Sequence, residues 1–260
     1  MDETAHTPRS IFASTEFASR RFLVSGGAQG LGLAIVNRLA AAGASGLILD
    51  LGANSASPAP WPSVAVDVTD ESAVRHAIES DVAAHGPFNG LVAAAGIVPA
   101  WHSPTDIDLE LLDRTMAVNV TGFVSVMKYA AHEMPPGSTI VAIGSLNSWR
   151  GDPNVMAYAA SKHAVLGIVR SAAQSLGPRG IRVNAVAPGP VATDALLGRM
   201  KSRSTSTGLQ PADAIRAAEQ LTVLGALATP DDIANAVAFL SGPQSAAITG
   251  QILPVDGGLL

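Results

Sequence analysis

Short apolar runs alternate with longer segments of helical spacing along most of this chain. Phe22-Leu23-Val24, Leu47-Ile48-Leu49, Val64-Ala65-Val66, Leu91-Val92-Ala93, Ile140-Val141-Ala142-Ile143, Val183-Asn184-Ala185-Val186 and Ile252-Leu253 have the length of strands buried on both faces. Between most of them apolar positions recur at helical intervals, over Leu31 to Ala42, Glu71 to Ala84, Leu109 to Met134, Val155 to Leu176 and Asp231 to Leu240. Breakers stand at the joints: Gly43, Gly86-Pro87, Pro135-Pro136-Gly137, Gly177-Pro178 and Pro230 each end or open a helix. A repeated strand-helix alternation predicts an α/β fold, a doubly wound seven-stranded parallel sheet flanked by helices and joined by right-handed crossovers.

The alternation runs from residue 21 to residue 260 without a charge run, tandem repeat or low-complexity linker, which predicts one domain over 21–260. Residues 1–20 read as a polar arm. Asp2, Glu3 and Glu16 interrupt them, and they lack the apolar stretch of a signal peptide. The stretch of about 192–224, rich in Ser, Thr, Lys and Arg, breaks the pattern and is expected to form a substrate flap.

Composition narrows the function classes. An apolar content of 48% with only 14% charged residues excludes a disordered chain, and no apolar stretch is long enough for a membrane helix. The net charge of −5 has the wrong sign for nucleic acid or an anionic lipid surface. Absence of cysteine excludes disulfides, thiolate metal sites and cysteine nucleophiles, and it suits a reducing cytoplasm, the expected location. The histidines, His6, His76, His85, His102, His132 and His163, show no metal-ligand spacing, so no metal is expected.

Chemistry concentrates in two places. Directly after the first run comes Ser25-Gly26-Gly27-Ala28-Gln29-Gly30-Leu31-Gly32, a strand, tight turn and helix start. Glycines permit close backbone approach, and free amides at a helix start favour a pyrophosphate. The same turn would also serve packing alone. Asp50 closes the second strand, where a carboxylate accepts hydrogen bonds from an adenosine ribose and repels a 2′-phosphate. Neither Gln29 nor Leu51 supplies a cation for such a phosphate, so NAD is favoured over NADP. Asp50 taken alone would equally well open the polar loop that follows. Asp67, before Val68-Thr69-Asp70, has two readings, a contact to the adenine amine or an acidic turn residue.

Tyr158 and Lys162, in Tyr158-Ala159-Ala160-Ser161-Lys162, stand at i and i+4 near the start of a long helix and share one face. A phenol of ordinary pKa of about 10 exchanges protons poorly at neutral pH, and a neighbouring ammonium stabilises its phenolate. Such a pair also occurs on solvated helix faces. Ser145 ends the fifth strand, at the edge where ligands bind in open α/β sheets, and is either a donor to a substrate oxygen or a capping serine.

Taken in order, these residues resemble the short-chain dehydrogenases/reductases, in their compact NAD(P)-dependent branch, over nearly the whole chain. Ser25-Gly26-x-x-x-Gly30-x-Gly32 is similar to the family's glycine turn with Ser for Thr, and Ser145, Tyr158 and Lys162 match its catalytic trio. Asn119 matches a fourth catalytic position, Pro188-Gly189-Pro190-Val191-Ala192-Thr193 the segment that contacts nicotinamide, and Asp256-Gly257-Gly258 a C-terminal signature. One departure stands out: Ala93-Ala94-Ala95-Gly96 replaces a motif that usually begins with asparagine.

The resemblance implies a Rossmann fold and hydride transfer between NAD and a secondary alcohol or ketone. Tyr158 would be general acid/base, Ser145 the oxygen holder, Lys162 the ribose contact and Asn119 the support of a proton relay. It implies cofactor contacts at Ser25, Gly26, Gln29, Gly30, Leu31, Gly32, Asp50, Asp67, Val68, Ala94, Gly96, Tyr158, Lys162, Pro188, Gly189, Val191 and Thr193. Substrate contacts are expected from Ser145 and Tyr158, with Trp101, Trp149 and Leu196 in the variable loops. The expected partner is a small molecule, and the implied assembly a homotetramer or homodimer. Rival readings are a 3-oxoacyl-carrier-protein-type reductase and a non-catalytic dinucleotide-binding protein of the same fold.

Overall fold

The computed structural model describes residues 15–52, 61–193 and 210–259. Seven parallel strands form one sheet: β1 (Arg21–Ser25), β2 (Ser45–Asp50), β3 (Ser63–Ala65), β4 (Gly90–Ala93), β5 (Thr139–Ile143), β6 (Arg182–Pro188) and β7 (Ile252–Val255). Their order is β3-β2-β1-β4-β5-β6-β7, so the chain leaves β1 in one direction and returns at β4 to build in the other. A crevice opens at such a reversal, outside the carboxyl ends of β1 and β4.

Alternate residues on each strand supply opposite cores. Leu23, Leu91 and Ile140 pack with Phe123, Val126, Val165 and Val169. These last belong to α4 (Phe123–Glu133) and α5 (Met156–Leu176), with α2 (Glu71–His85) beside them. Phe22, Val24, Val92 and Val141 face the other way, onto Ile35, Leu39, Ile233 and Val237. Two packed helices carry those four, α1 (Gly30–Ala41) and α7 (Pro230–Ser241). Pro at its first position and a Thr229/Asp232 capping box start α7. Among the described residues no helix is long and apolar enough to cross a membrane.

Four local expectations change. The third and seventh runs, taken as buried, are edge strands with one neighbour each: Val64 is 41% exposed, and Ile252 and Leu253 are half-buried. The helix expected over Leu109 to Met134 is divided into α3 (Leu109–Met116), a π-helical turn (Ala117–Gly122) and α4. At that turn Gly122 lies so close to Val68 that a Cβ would stand 2.6 Å from its Cγ2, and Asn119 faces away from solvent. Packed chain begins before residue 21, because Phe17 is fully buried edge-to-face on Phe22, with ring centroids 5.4 Å apart. Arg20 lies over both rings and donates to the Ser241 and Asn89 carbonyls, so this end of the arm belongs to the core. Within the expected flap, Pro211–Gln220 form a helix, α6, while 194–209 lie outside the described residues.

Candidate active site

The turn between β1 and α1 is folded so tightly that side chains cannot replace its glycines. Gly26, with φ +73°, donates to the Leu49 carbonyl at 2.7 Å, and a Cβ there would lie 2.6 Å from the Ala95 nitrogen. A Cβ on Gly32 would lie 1.9 Å from the Gly26 oxygen. Gly30 is different: its φ is +53° and no atom of the described residues lies within 4 Å of the place a Cβ would take, so it borders open space. Gln29, the residue before α1, provides no side-chain cap, and the first turn holds no acidic residue. A helix start with an uncompensated positive dipole end and uncapped amides, beside open space, fits a pyrophosphate.

Asp50 is buried at the end of β2, where one carboxylate oxygen accepts from the Ala28 amide at 3.0 Å and the other from Gly52 at 2.9 Å. It therefore does more than open a loop: it ties the glycine turn to the second strand. Asp67 is exposed, and its Oδ1 accepts from the Thr69 amide and hydroxyl at 2.9 and 2.8 Å, the geometry of an acidic turn residue. The Val68 side chain is buried against Gly122. Ala94 donates to the Ser25 carbonyl at 3.0 Å, while Ala93 packs in the core.

Around the start of α5 the fold joins four segments. Lys162 is buried, and its Nζ donates to the Ile143 carbonyl at the end of β5, 2.8 Å away, and lies 5.5 Å from the centroid of the half-buried Tyr158 ring. Burial pushes its pKa down to about 8, since an ammonium loses hydration there. Asn119 makes a reciprocal pair with the Ile97 backbone, accepting at 2.8 Å and donating at 2.9 Å, and donates to Ser161 at 3.0 Å. Ser161 in turn donates to the Tyr158 carbonyl at 2.7 Å. Thus the π-helical turn, the loop after β4 and the helix that carries the tyrosine are held as one unit. A Cβ on Gly96 would sit 3.2 Å from the Asn119 oxygen, a tight contact, and 3.8 Å from the Lys162 nitrogen, so the glycine keeps the backbone close to both.

Ser145 is buried at the start of a 3-10 turn, Leu146–Ser148, that packs on α5. Its Oγ accepts from the Asn147 amide at 3.2 Å, and its own amide donates to Ser148 Oγ at 3.2 Å. Capping is therefore one thing this serine does. Pro188 ends β6, the Gly189 amide reaches the Val255 carbonyl at 3.2 Å, and a Cβ on Gly189 would lie 2.8 Å from Asp256 Cβ. Val191 is buried and bridges to Ala228, and the Thr193 amide donates to the Val191 carbonyl at 2.7 Å.

Trp101 and Trp149 lie on the two loops expected to reach substrate and stay outside the core, 49% and 41% exposed, whereas Trp61 is buried. The His102 amide donates to the Asn154 carbonyl at 2.9 Å and joins those loops' surroundings. Leu196 lies outside the described residues. Reading the sequence passed over Ser161, although it lies between Tyr158 and Lys162 and its i+3 spacing from the tyrosine was a usable signal. It also passed over Ile143 and Ile97, whose contributions are backbone groups that no side-chain pattern reveals.

The lowered Lys162 pKa has a consequence for stability. Between about pH 8 and the ordinary lysine value of 10.5 the folded chain binds fewer protons than the unfolded one, so this group's contribution rises with pH across that window. Lys162→Met is expected to melt no lower than wild type at pH 7. Its advantage should shrink as the pH is raised through the window, in parallel thermal denaturation series; a lower melting temperature at pH 7 would contradict the desolvation account.

The model of the family described as enoyl-(acyl carrier protein) reductase matches residues 26–260. Short-chain dehydrogenase reductase 4 of Arabidopsis thaliana is 37% identical over 251 residues, covering 91% of this chain and 80% of that protein. Among solved structures, ligand-free aldohexose dehydrogenase of Thermoplasma acidophilum superposes with a TM-score of 0.89 at 27% identity, covering 95% of this chain and 96% of its own. NAD+-bound xylitol dehydrogenase superposes at 0.86 with 27% identity, covering 94% and 100%. With its reversed parallel sheet, its glycine turn and its Tyr158/Lys162 helix, the chain belongs to the short-chain dehydrogenase/reductase family of oxidoreductases.

Proposed function

We propose that the protein interconverts a secondary alcohol and a ketone with NAD. The observation that carries this reading is a lysine ammonium buried one helical turn from a half-buried tyrosine and bonded to the carboxyl end of β5, in a fold whose glycine turn after β1 leads into an uncapped helix start. Burying an ammonium without a carboxylate costs stability, so a use for it is implied.

The residues that would hold NAD are the glycine turn from Gly26 to Gly32, Asp50, Gly96, Lys162 and the segment Pro188 to Thr193. Bound there, the dinucleotide supplies the hydride acceptor or donor. In the oxidative direction Tyr158 takes the proton of the substrate hydroxyl, and Ser145 donates to the same oxygen. Lys162 stabilises the phenolate by its charge. Asn119 keeps the loop after β4 against α5, which preserves the distance between Gly96 and Lys162. Reduction reverses the proton's path. That two structural neighbours are an aldohexose and a xylitol dehydrogenase supports a substrate bearing a secondary hydroxyl.

A reductase of carrier-protein-linked 3-oxo esters has in its favour the family model's acyl-carrier-protein description. Such an enzyme would use a basic docking surface. Of the arginines that could form one, Arg170 is exposed on α5, while Arg179 donates to the His132 and Met134 carbonyls and Arg182 to those of Ile248 and Gly242, so these two are engaged in holding the fold.

Following NADH absorbance with 1-phenylethanol, cyclohexanol, xylitol and glucose, and with acetophenone and cyclohexanone in the reverse direction, tests the reading. Turnover of at least one with NAD is expected; turnover of none with either dinucleotide would overturn it. Asp50→Ser should raise kcat/KM for NADP relative to NAD by about 10- to 100-fold, the weight of one like-charge repulsion and one charge-assisted hydrogen bond. A wild type that already prefers NADP would contradict the assignment of Asp50.

A further inference from the structure

Asn147 stands two residues beyond Ser145, in the 3-10 turn at the carboxyl edge of β5, and only 6% of its surface is exposed. Its backbone amide occupies one lone pair of Ser145 Oγ at 3.2 Å. The Ser145 hydroxyl directs its single proton toward the Asn147 side-chain oxygen, at a long 3.5 Å, and the buried Asn147 Nδ2 has no acceptor among the described residues. This arrangement is poor on two counts. A buried amide donor without a partner is among the costlier defects in a folded chain, and a serine proton held by Asn147 is withheld from a substrate oxygen.

Rotating the side-chain amide by half a turn exchanges its two heavy atoms with almost no change of shape. Nδ2 then faces Ser145 Oγ and donates to it, while the oxygen, for which lacking a partner costs less, takes the enclosed position. A serine hydroxyl has two lone pairs and one proton. With both lone pairs filled, by the backbone amide and the side-chain amide of the same asparagine, the proton has no local acceptor and points outward to the ligand.

We propose that Asn147 is a positioning residue that acts through Ser145: its side-chain amide fills the second lone pair of Ser145 Oγ and so commits the serine proton to the substrate oxygen. The inference rests on the role proposed for Ser145 above. It predicts opposite effects on stability and on turnover, because the near-isosteric Asn147→Leu removes a badly satisfied buried amide and also the device that orients the serine.

The experiment measures kcat, the KM for NAD and the melting temperature of Asn147→Leu and Asn147→Ala, each on the wild-type and Ser145→Ala backgrounds. The substrate is whichever alcohol of the four above the wild type oxidises fastest. The expected result is a kcat lowered about tenfold by either Asn147 substitution in the wild-type background, with an unchanged KM for NAD, and a melting temperature of Asn147→Leu equal to or above wild type. On Ser145→Ala neither substitution should lower kcat further. An equal loss on both backgrounds, no loss on the wild type, or a loss accompanied by a lower melting temperature of Asn147→Leu would overturn the proposal. If Ser145→Ala itself leaves kcat unchanged, the role of Ser145 falls first; if Ser145→Ala lowers it and the Asn147 variants do not, only the present inference fails.

Discussion

Tyr158→Phe is expected to lower kcat by about a thousandfold, within the range carried by a positioned general acid or base, while dinucleotide affinity stays within about twofold of wild type. The substitution removes one oxygen and keeps the ring. The backbone ties at this point of the helix are untouched, because Ser161 is bonded to the backbone carbonyl of Tyr158 and Lys162 to that of Ile143. A conservative loss at a half-buried position should change stability by no more than about 1 kcal/mol. Steady-state turnover beside tryptophan-fluorescence titration with NADH separates the two quantities. Undiminished turnover would remove the tyrosine from the reaction.

Gly32→Ala should fail in a different way, through the cradle. The added methyl would lie 1.9 Å from the Gly26 oxygen and 3.0 Å from Gly27 Cα, and both obstacles are backbone. The turn cannot yield by a rotamer change, so the start of α1 must move away from β1. The expected cost is about 1 to 3 kcal/mol of stability, as for other forced insertions into packed chain, and a loss of NADH affinity of about a hundredfold as the amides leave their common focus. Gly30→Ala is the control for strain alone. Its methyl would meet nothing, and only the φ of +53° costs energy, about 1 to 2 kcal/mol. Denaturant melts and NADH titration of both variants provide the check. If Gly32→Ala binds NADH as wild type does, the turn is not the pyrophosphate cradle.

The parts of this fold that were legible in the sequence are those set by local periodicity. Strands buried on both faces read as continuous apolar runs, and five of the seven lie in the interior of the sheet, with β3 and β7 at its edges. Val64 misled because an apolar residue on a three-residue edge strand has the same pattern as one in the middle. Phe17 was hidden for the opposite reason, since one aromatic in a polar stretch has no period and only its contact with Phe22 reveals its place. The π-helical turn was equally invisible, because apolar spacing over Leu109 to Met134 continues through it, and the contacts made there by Asn119 and Gly122 lead to distant segments.

The site divides along the same line. Tyr158 and Lys162 were legible through i,i+4 geometry, and the glycine turn through its position between a strand and a helix. The tie from Asp50 back to Ala28, the clamp of Asn119 on Ile97 and Ser161, and the desolvation of Lys162 all depend on which strands are neighbours. Parallel pairing of β1 with both β2 and β4 brings them together, and spacing along the chain does not encode it. Asp67 shows the reverse limit: its acidic side chain suited either reading, and the short bonds to Thr69 are those of a turn.

In the proposed reaction the phenol of Tyr158, with the Lys162 ammonium beside it, faces the reactive end of a dinucleotide anchored at Gly30 to Gly32. A crystal structure of the protein grown with NAD tests this most directly. The expected density has the pyrophosphate on the amides at the start of α1, the adenosine ribose on Asp50, and the nicotinamide ring between Tyr158 and the segment after β6. A dinucleotide bound elsewhere, or one bound there with the tyrosine hydroxyl turned away from the ring, would contradict it.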